Sequence, residues 1–323
     1  MKESEKAPIL LEAVSKETIW GGCRLKKHYR KNAEFDKIAE SWELTVRPDG
    51  ENSAKNGIYK GMSLSKIIDM DRKFFLGTKL QYAERFPLLI KFIDAEDDLS
   101  VQVHPDDEYA LPHENEFGKT EMWYIIEADE GAKLVLGLKE NCSISDFANA
   151  ALQGKIDDKL NYVNVKKGDV FFIPPGMIHA IGKGILIAEI QQNSNVTYRV
   201  FDYNRLQPDG SKRPLHTEKA LDVIRNRTPE EVRGLQFKTP PTDPSLLCTC
   251  DYFRVNRYVG ENQTFFVGES GFAHLLLLDG ENTSLKWCRG SSATAKGDSW
   301  FLPAGIGEIT VEGHSDFLVT TLP

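Results

Sequence analysis

One phrase of the sequence occurs twice, and this repeat constrains the fold more than any other feature. Residues 167–179 read KGDVFFIPPGMIH, and residues 296–308 read KGDSWFLPAGIGE. Lys, Gly, Asp, an aromatic residue, Pro and Gly recur in the same register. The shared pattern predicts a Gly-Asp turn, a buried strand and a Pro-x-Gly corner that redirects the chain. We therefore expect two related β units, one in each part of the chain.

The two copies differ at a position that matters for chemistry. The first copy ends on His179, whereas the second has Glu308 at the equivalent place. Histidine is the commonest metal ligand among the side chains and also transfers protons near neutral pH. We therefore expect the first copy to carry the chemistry and the second to be mainly structural.

The rest of the chain predicts a mainly β protein with a few short helices. Short runs rich in β-branched and aromatic residues, bounded by turn residues, predict strands. The candidate strands are 99–103, 122–128, 132–138, 169–174, 184–191, 197–203, 248–258, 271–278, 283–288 and 299–303. Caps and helical spacing predict helices at 63–71, 143–153 and 215–227.

A proline-rich segment divides the chain. Three prolines lie within residues 238–245, a density that neither a helix interior nor a central strand tolerates. We interpret this segment as a linker. The predicted domains are a catalytic domain over residues 1–240 and a smaller C-terminal β domain over residues 241–323.

Charge and hydropathy exclude several classes of function. Lys+Arg number 40 against 48 Asp+Glu, which gives a net charge of −8. A chain with this balance has no excess positive field for nucleic-acid phosphates or anionic lipid, so we expect neither as a partner. No apolar run approaches the ~18 residues of a membrane span, and the first residues do not resemble a signal peptide. These features predict a cytoplasmic protein.

The richest local signal is the segment LSVQVHPDD over residues 99–107. On a strand, Gln102 and His104 lie on the same face because side chains alternate with period two. Glu121 begins an apolar run, and the Pro-x-Gly corner places His179 at a strand edge, so we expect Glu121 and His179 on neighbouring strands of a small barrel. Nitrogen and oxygen donors without thiolate suit Zn²⁺, with Mn²⁺, Fe²⁺ or Co²⁺ as alternatives. The simpler alternative is a polar strand face that carries a histidine near its end.

These motifs resemble those of a known superfamily. The run from Gly168 to His179 resembles the second cupin motif, and Gln102-x-His104 with a downstream Glu resembles a variant of the first. More narrowly, the chain is similar to type I mannose-6-phosphate isomerases of the short bacterial form. The similarity covers most of residues 8–205 and is carried by the segments 19–22, 39–44, 87–95, 101–107, 119–124, 174–180 and 189–203. It implies two cupin-type (jelly-roll) β-barrels, with the short helices inserted in the N-terminal part.

The resemblance also implies an activity and a site. The activity is a zinc-dependent aldose–ketose isomerisation that interconverts mannose 6-phosphate and fructose 6-phosphate through a cis-enediol. One Zn²⁺ per chain is expected, and the family's ligands map onto Gln102, His104, Glu121 and His179. The family has a basic residue two places before the ligand Glu, here Lys119, and an active-site arginine, here Arg199. The expected partner is a small hexose 6-phosphate.

The chemistry needs a base, polarisation of two oxygens and a grip on the phosphate. We expect Lys119 and Arg199 around the enediolate or the phosphate, because Lys offers a point charge and Arg a fork. Glu189 is the candidate base, and its alternative role is a structural partner for Arg. Its ten-residue spacing to Arg199 predicts adjoining strands with a turn near residues 193–195. Lys91 interrupts an apolar run and is a candidate for substrate binding, with a solvated edge as its alternative.

Other functions stay open at this point. One alternative is a non-catalytic or weakly catalytic sugar-phosphate-binding cupin. Others are a metal-dependent isomerase of another sugar and an Fe²⁺ dioxygenase. The presence of four ligands together with Lys119 and Arg199 favours the isomerase, since dioxygenase cupins usually offer a more histidine-rich set. No Gly-x-Gly-x-x-Gly fingerprint or Walker phosphate loop is present, so no nucleotide cofactor is expected.

Overall fold

The computed structural model describes residues 6–225, 227, 229–237, 243 and 245–323. Most of the predicted linker, residues 238–245, lies outside the described residues. The strands are β1 (Ile9–Glu12), β2 (Val14–Lys16), β3 (Glu40–Leu44), β4 (Val46–Arg47), β5 (Gly50–Glu51), β6 (Ser53–Ala54), β7 (Leu88–Ala95), β8 (Val101–Val103), β9 (Glu121–Ala128), β10 (Lys133–Leu138), β11 (Leu160–Asn164), β12 (Val170–Ile173), β13 (His179–Ile181), β14 (Ile185–Gln192), β15 (Tyr198–Phe201), β16 (Leu246–Thr249), β17 (Arg254–Val267), β18 (Ala273–Gly280), β19 (Thr283–Trp287), β20 (Gly290–Thr294), β21 (Ser299–Leu302) and β22 (Gly307–Thr321).

Short α-helices connect some of these strands. They are α1 (Arg24–Tyr29), α2 (Leu64–Met70), α3 (Arg72–Leu76), α4 (Asp107–Glu114), α5 (Ile144–Leu152), α6 (Thr217–Val223) and α7 (Pro229–Gly234). The helices expected at residues 63–71 and 143–153 are confirmed, and α6 occupies part of the third. Ser143 caps α5 in a capping box, because its side chain and that of Asp146 each accept from the other's backbone N–H. None of the described helices is both long and apolar enough to cross a membrane.

The first barrel consists of two antiparallel sheets. One has the strand order β12-β9-β14-β7-β3-β2, and the other has the order β11-β10-β13-β8-β15. Apolar side chains from both sheets meet between them and fill one part of the interior, among them Ile93, Ile125, Leu134, Ile181 and Ile187. The remaining part of the interior is lined by the polar side chains of the site.

The long central strands of this barrel are buried on both faces. Every residue of β7 and of β14 is buried. On β9, Trp123 and Ile125 point into the barrel. Met122 and Tyr124 point the other way, into the core that this barrel shares with the C-terminal β unit. A strand covered on both sides has no clean alternation of polar and apolar residues. The charged residues of β7 and β14 are therefore buried. The solvated edge considered for Lys91 is wrong, since only 3% of Lys91 is exposed.

The second β unit recruits strands from the N-terminal segment. Its main path runs β16-β17-β22-β18-β21-β1-β6, with β19 and β20 attached through β22. Ile9 pairs with Phe301, and Leu11 pairs with Ala54. The N-terminal residues thus tie the two units together, which the linear order of the sequence did not predict. The single strand expected over residues 248–258 is instead a hairpin, because β16 and β17 pair with each other around residues 250–253.

The repeated phrase has the same backbone form in both units. Strands β12 and β21 occupy equivalent positions of the two copies. Gly168 and Gly297 have φ of 90° and 87°, and Gly176 and Gly305 have φ of 79° and 70°. These left-handed conformations favour glycine, which explains why both positions are glycine in each copy. The prediction of two related cupin-type β units is confirmed.

Candidate metal centre and active site

The first two candidate ligands lie where β8 ends. Pro105 follows His104 and cannot donate to a ladder, and Asp106 then caps α4 by accepting from Tyr109 N at 3.0 Å. The chain therefore leaves the sheet directly after His104. Gln102 pairs in register with His179 of β13, so these two side chains lie side by side on one sheet.

The Pro-x-Gly corner fixes the third candidate ligand. Gly176 N donates to His104 O at 2.8 Å, which joins the corner to the end of β8. A Cβ at Gly176 would lie 2.8 Å from both Val223 O and Arg225 Cγ, so only glycine fits. His179 begins β13 just after this corner. Glu121 begins β9 of the opposite sheet, so Glu121 and His179 face each other across the barrel, and the expectation of neighbouring strands is wrong.

The donor atoms of these four residues converge on a small volume. His104 Nε2 and His179 Nε2 are 3.1 Å apart. Glu121 Oε1 lies 3.4 Å from His179 Nε2 and 3.8 Å from His104 Nε2. The amide nitrogen of Gln102 lies 3.4 Å from His179 Nε2, and rotating this amide by half a turn presents its oxygen instead. Ligands about 2.0–2.1 Å from a tetrahedral zinc ion are about 3.3 Å from one another, so these separations fit a metal.

The protonation of the two imidazoles supports a bound cation. His104 Nδ1 lies 2.8 Å from Val196 O, and His179 Nδ1 lies 2.8 Å from Met177 O. A carbonyl accepts only from an N–H, so in each neutral ring the Nε2 atom carries a lone pair. Burial, with the positive charge of Lys119, lowers the pKa of His104 well below 6.5, and burial lowers the pKa of His179 to about 4. Two lone pairs therefore face each other at 3.1 Å without a proton between them.

The carboxylate of Glu121 is the third donor beside the two imidazoles. Glu121 is fully buried, and among the described residues its Oε1 has no hydrogen-bond partner. Lys119 pairs with the other oxygen of this carboxylate, but a buried oxygen left without a hydrogen-bond partner is still costly. Two imidazole lone pairs and a carboxylate oxygen that converge in this way are satisfied together by one divalent cation, with Gln102 as an available fourth donor. The residues present therefore fit a metal, and the group His104, Glu121 and His179 forms a candidate metal site.

A second set of charged groups lies next to the donors. Lys119 Nζ is 2.8 Å from Glu121 Oε2 and 3.8 Å from Glu189 Oε1. Lys91 Nζ is 3.4 Å from the same Glu189 oxygen. Register explains the contacts, since Glu189 pairs with Lys91 on one side and with Trp123 on the other. The structure thus brings together Lys91, Lys119 and Glu189 beside the candidate metal site.

The charge states of these groups follow from their neighbours. Burial acts to raise the pKa of Glu189, but the ammonium groups of Lys119 and Lys91 outweigh it and hold that pKa below its usual range. Burial likewise acts against a charged Lys91, but Glu40 and Glu189 raise its pKa above the usual value. Trp123 Nε1 donates to Glu189 Oε2 at 3.0 Å. Among the described residues Glu189 Oε1 has no hydrogen-bond partner, so it is a carboxylate oxygen available to a ligand.

Arg199 lies on the other sheet. It pairs in register with Gln102, which places it beside the metal donors. Its guanidinium donates to Ser100 Oγ at 3.3 Å and to Pro214 O at 2.9 Å. The turn near residues 193–195 is present, but β14 and β15 belong to opposite sheets, so the expectation that Glu189 and Arg199 lie on adjoining strands is wrong. In the described part of the chain Arg199 has no ion pair within 4 Å, and the alternative of a Glu189–Arg199 structural pair is not observed.

One residue of the site, Glu40, was missed from the sequence. Glu40 Oε2 lies 3.3 Å from Lys91 Nζ and accepts from Trp42 Nε1 at 2.7 Å. Trp42 pairs in register with Lys91. The sequence held a signal for this residue, because Glu40 and Trp42 are two positions apart on a strand and so lie on the same face. Both fall within a segment that carries the family resemblance. The site thus has two buried ammonium groups and three carboxylates before any metal is counted.

Fold and site together define a class of protein. Two cupin-type units, one of which holds a convergent His-His-Glu donor set inside its barrel, are those of a metal-binding cupin. The family model of the type I phosphomannose isomerase catalytic domain matches residues 9–138. The family model of the mannose-6-phosphate isomerase cupin domain matches residues 245–322.

Similar proteins agree with this assignment. The chain is 36% identical to mannose-6-phosphate isomerase ManA of Bacillus subtilis (strain 168), over 98% of this chain and 99% of that protein. It superposes on a crystal structure of the Bacillus subtilis mannose 6-phosphate isomerase with a TM-score of 0.87, 31% identity, and 98% and 99% of the two chains covered. A zinc-bound mannose 6-phosphate isomerase has the same fold, with a TM-score of 0.76 and 16% identity over 97% of this chain and 98% of that one. The chain belongs to the mannose-6-phosphate isomerase family, which confirms the predicted resemblance.

Proposed function

We propose that this chain is a zinc-dependent aldose–ketose isomerase that interconverts mannose 6-phosphate and fructose 6-phosphate. The reaction moves a proton between C1 and C2 through a cis-enediol. The proposed ligands of one Zn²⁺ per chain are Gln102, His104, Glu121 and His179. The donor set carries a single negative charge, so the bound ion stays net positive and supplies Lewis-acid polarisation of a sugar oxygen.

Glu189 is the proposed carrier of the proton. Its Oε1 is buried, ionised and free of hydrogen bonds within the described residues, so it can accept a proton from one carbon and return it to the next. The indole of Trp123 holds the other oxygen at 3.0 Å, which fixes the direction of Oε1. A carboxylate held in this way takes up the proton without rearranging its neighbours.

Lys119, Lys91 and Arg199 are the proposed cations for the substrate. The ammonium of Lys119 contacts both Glu121 and Glu189, so it lies between the metal donors and the proton carrier. It is suited to stabilise negative charge on an enediolate oxygen. Lys91 keeps Glu189 ionised and supplies a second positive charge in the pocket. Arg199, which lacks an ion-pair partner among the described residues, offers a planar fork to the phosphate or to the enediolate.

One observation carries the proposal. A metal donor set and a lysine-flanked carboxylate share a single ammonium, that of Lys119, at 2.8 Å and 3.8 Å from the two carboxylates. A cupin that only binds sugar phosphate needs no ionised carboxylate buried beside a Lewis-acid site. The shared ammonium couples a group that polarises oxygen to a group that moves a proton, which is what an aldose–ketose isomerase requires.

A coupled assay tests the proposal. Mannose 6-phosphate is supplied to the purified chain, and fructose 6-phosphate is measured through phosphoglucose isomerase and glucose-6-phosphate dehydrogenase. We expect turnover that is lost on chelation and restored by Zn²⁺. The same reaction in D₂O distinguishes a catalyst from a binding protein, because a cis-enediol mechanism exposes the transferred proton to exchange with solvent. Absence of turnover in the zinc-loaded chain contradicts the proposal, and binding of mannose 6-phosphate without turnover favours a sugar-phosphate-binding cupin.

Three further proposals accompany this function. The substrate is a small hexose 6-phosphate, and turnover of other aldose phosphates at an equal rate would argue for a broader isomerase. A cytoplasmic location is supported by the five free cysteines, since unpaired thiols are usual in a reducing compartment. The division into a catalytic domain over residues 1–240 and a smaller domain over residues 241–323 is supported by the separate match of the second family model.

A further inference from the structure

The HPDD segment contains an aspartate that the proposed chemistry does not use. Asp107 opens α4, three residues after His104, and its carboxylate accepts hydrogen bonds from three different parts of the chain. Gly118 N donates to Asp107 Oδ1 at 2.7 Å. Gln192 Nε2 lies 3.0 Å from Oδ1 and 3.2 Å from Oδ2. Tyr252 Oη donates to Oδ2 at 2.9 Å.

Two of these partners lead directly to the candidate metal site. Gln192 Oε1 accepts from Thr120 N at 2.8 Å, and Gln192 N donates to Thr120 O at 3.1 Å. Lys119 N donates to Pro105 O at 2.9 Å. Gln192 and Thr120 are each 4% exposed, so these bonds form in a dry environment. The backbone that carries Lys119 and Glu121 is therefore fixed by a side chain whose own amide is held by Asp107.

Close packing makes the same connection. A Cβ at Gly118 would lie 2.3 Å from Asp106 C and 2.4 Å from Asp107 N. Backbone atoms this close cannot give way as the end of a flexible side chain can, so Gly118 lets the segment press against the start of α4. A displacement of Asp107 would therefore press on the segment that ends at Glu121.

The third partner belongs to the second β unit. Tyr252 lies in the turn between β16 and β17, and its hydroxyl is the group through which this turn reaches Asp107. The neighbouring Phe253 and Val255 lie in the core that the two units share. The second unit, whose copy of the repeat lacks the histidine, thus has a direct hydrogen bond to the network behind the metal donors.

We propose that Tyr252 is a positioning residue of the metal centre, acting through Asp107 and Gln192 on the Lys119–Glu121 segment. This inference rests on the proposed function in one respect, which is that Glu121 is a ligand of the metal. It gives the second unit a role in the site, because its tyrosine orients a carboxylate that in turn orients the glutamine behind Thr120. Partners that hydrogen-bond a metal ligand directly commonly set metal affinity, and their loss weakens binding by roughly 10–100-fold. Asp107 and Tyr252 lie further from the ligands than such partners, so smaller losses are expected.

Metal binding tests this inference independently of turnover. The full chain is freed of metal and titrated with Co²⁺ alone, with a chelator as competitor and the visible absorption bands as a readout of ligand geometry. Tyr252→Phe removes one hydroxyl and keeps the ring, and Asp107→Asn places an amide N–H opposite the donors of Gln192. We expect Asp107→Asn to weaken Co²⁺ binding by less than the roughly tenfold loss typical of a direct ligand partner and to alter the bands, with a smaller change of the same kind in Tyr252→Phe.

Two comparisons separate positioning from general stability. Tyr258→Phe removes a hydroxyl from a half-buried tyrosine that packs on Phe265 and Phe317 at the edge of the second unit's core. It should leave the Co²⁺ affinity and bands unchanged. In the double variant of Tyr252 and Asp107, the loss should equal that of Asp107→Asn alone, since both changes act on one carboxylate. Unchanged Co²⁺ binding in Tyr252→Phe, or equal losses in Tyr252→Phe and Tyr258→Phe, would overturn the inference. Failure of the proposed function is a different result, because it appears as absence of turnover in the unsubstituted chain.

Discussion

Lys119 and Glu121 form a buried ion pair, with Nζ 2.8 Å from Oε2, at the edge of the candidate metal site. The same ammonium lies 3.2 Å from His104 Nε2. Both partners are at most 5% exposed as side chains, so solvent screens the pair weakly. A cation of the chain thus already contacts two of the donors to which a divalent metal would bind. The ammonium and the metal compete electrostatically for the same donors. Lys119 is therefore expected to oppose metal binding, whereas the ligands support it.

Replacing this ammonium should lower turnover without weakening metal binding. In Lys119→Met a similar volume remains but the positive charge is lost, so Zn²⁺ no longer competes with it. We expect Zn²⁺ affinity, measured by chelator competition, to be equal or higher. We expect kcat/KM for mannose 6-phosphate to fall by about 10²-fold or more, because an oxygen-stabilising charge is missing. Lys133→Met, at an exposed position, is the control, and weaker zinc binding in Lys119→Met would show that our account of the competition is wrong.

Glu189→Gln tests the proton carrier with almost no change of shape. The amide cannot accept the proton, so we expect turnover to fall by about 10²–10⁴-fold. Bound zinc should remain near one per chain. Loss of solvent deuterium incorporation into the product, followed by mass spectrometry, distinguishes a failed proton transfer from weak substrate binding.

A second buried carboxylate provides the control for Glu189. Glu43 is fully buried and pairs with Lys31 at 2.7 Å, outside the barrel site. Glu43→Gln should lower the free energy of unfolding and leave the rate per folded molecule unchanged. If Glu189→Gln exchanges deuterium as fast as the unsubstituted chain, another group carries the proton.

His179→Ala should remove both metal and activity. The variant leaves His104 and Glu121 without their third donor, so we expect bound zinc, measured by elemental analysis, to fall far below one per chain. The fold should persist, since the corner before His179 is set by Gly176. His274→Ala, a change at a buried histidine of the second unit, should keep its zinc. Full activity in His179→Ala would remove this residue from the site.

Arg199 is tested by comparing two substitutions. Arg199→Ala should lower kcat/KM strongly because this guanidinium, which has no ion pair with any described residue, is the proposed anion contact. Arg199→Lys keeps the charge but loses the planar fork, so we expect it to recover only part of the activity. Arg30→Ala, which breaks a surface pair with Asp298, serves as the control. An unchanged kcat/KM in Arg199→Ala would contradict the proposed contact.

Much of this architecture could be predicted because its signals are local. The Pro-x-Gly corner, the capping box at Ser143 and the alternation of Gln102 and His104 each act within a few residues. The partners across the barrel could not be predicted in this way. Which sheet holds Glu121 or Arg199 depends on the order of the strands, and that order is set by long-range packing.

Buried charges were the other source of error. Lys91 interrupts an apolar run, and sequence alone does not distinguish a lysine at a wet edge from one held by Glu40 and Glu189 inside a barrel. Strands buried on both faces lack the alternation of polar and apolar residues that would have shown whether Lys91 is exposed or buried. The pairing of β1 with β21 was missed for a similar reason, because it joins residues almost 300 positions apart.

The last prediction concerns acid stability and a buried histidine between the two units. Ser299 Oγ donates to Glu43 O at 2.6 Å, so its oxygen accepts from His274 Nε2 at 2.7 Å, which places a proton on Nε2. Burial, assisted by the charge of Lys31, lowers the pKa of His274 to about 3, compared with 6.5 for the free side chain. The unfolded chain therefore binds a proton here below pH 6.5 and the folded chain does not until about pH 3, so stability falls as the pH is lowered through this window. At pH 5 the loss from this residue is about 2 kcal/mol relative to pH 7.

The variant His274→Gln tests this prediction, because glutamine keeps a donor for Ser299 and cannot titrate. Its free energy of unfolding in urea should fall less between pH 7 and pH 5 than that of the unsubstituted chain. Equal falls in the two proteins would show that His274 is not the group responsible.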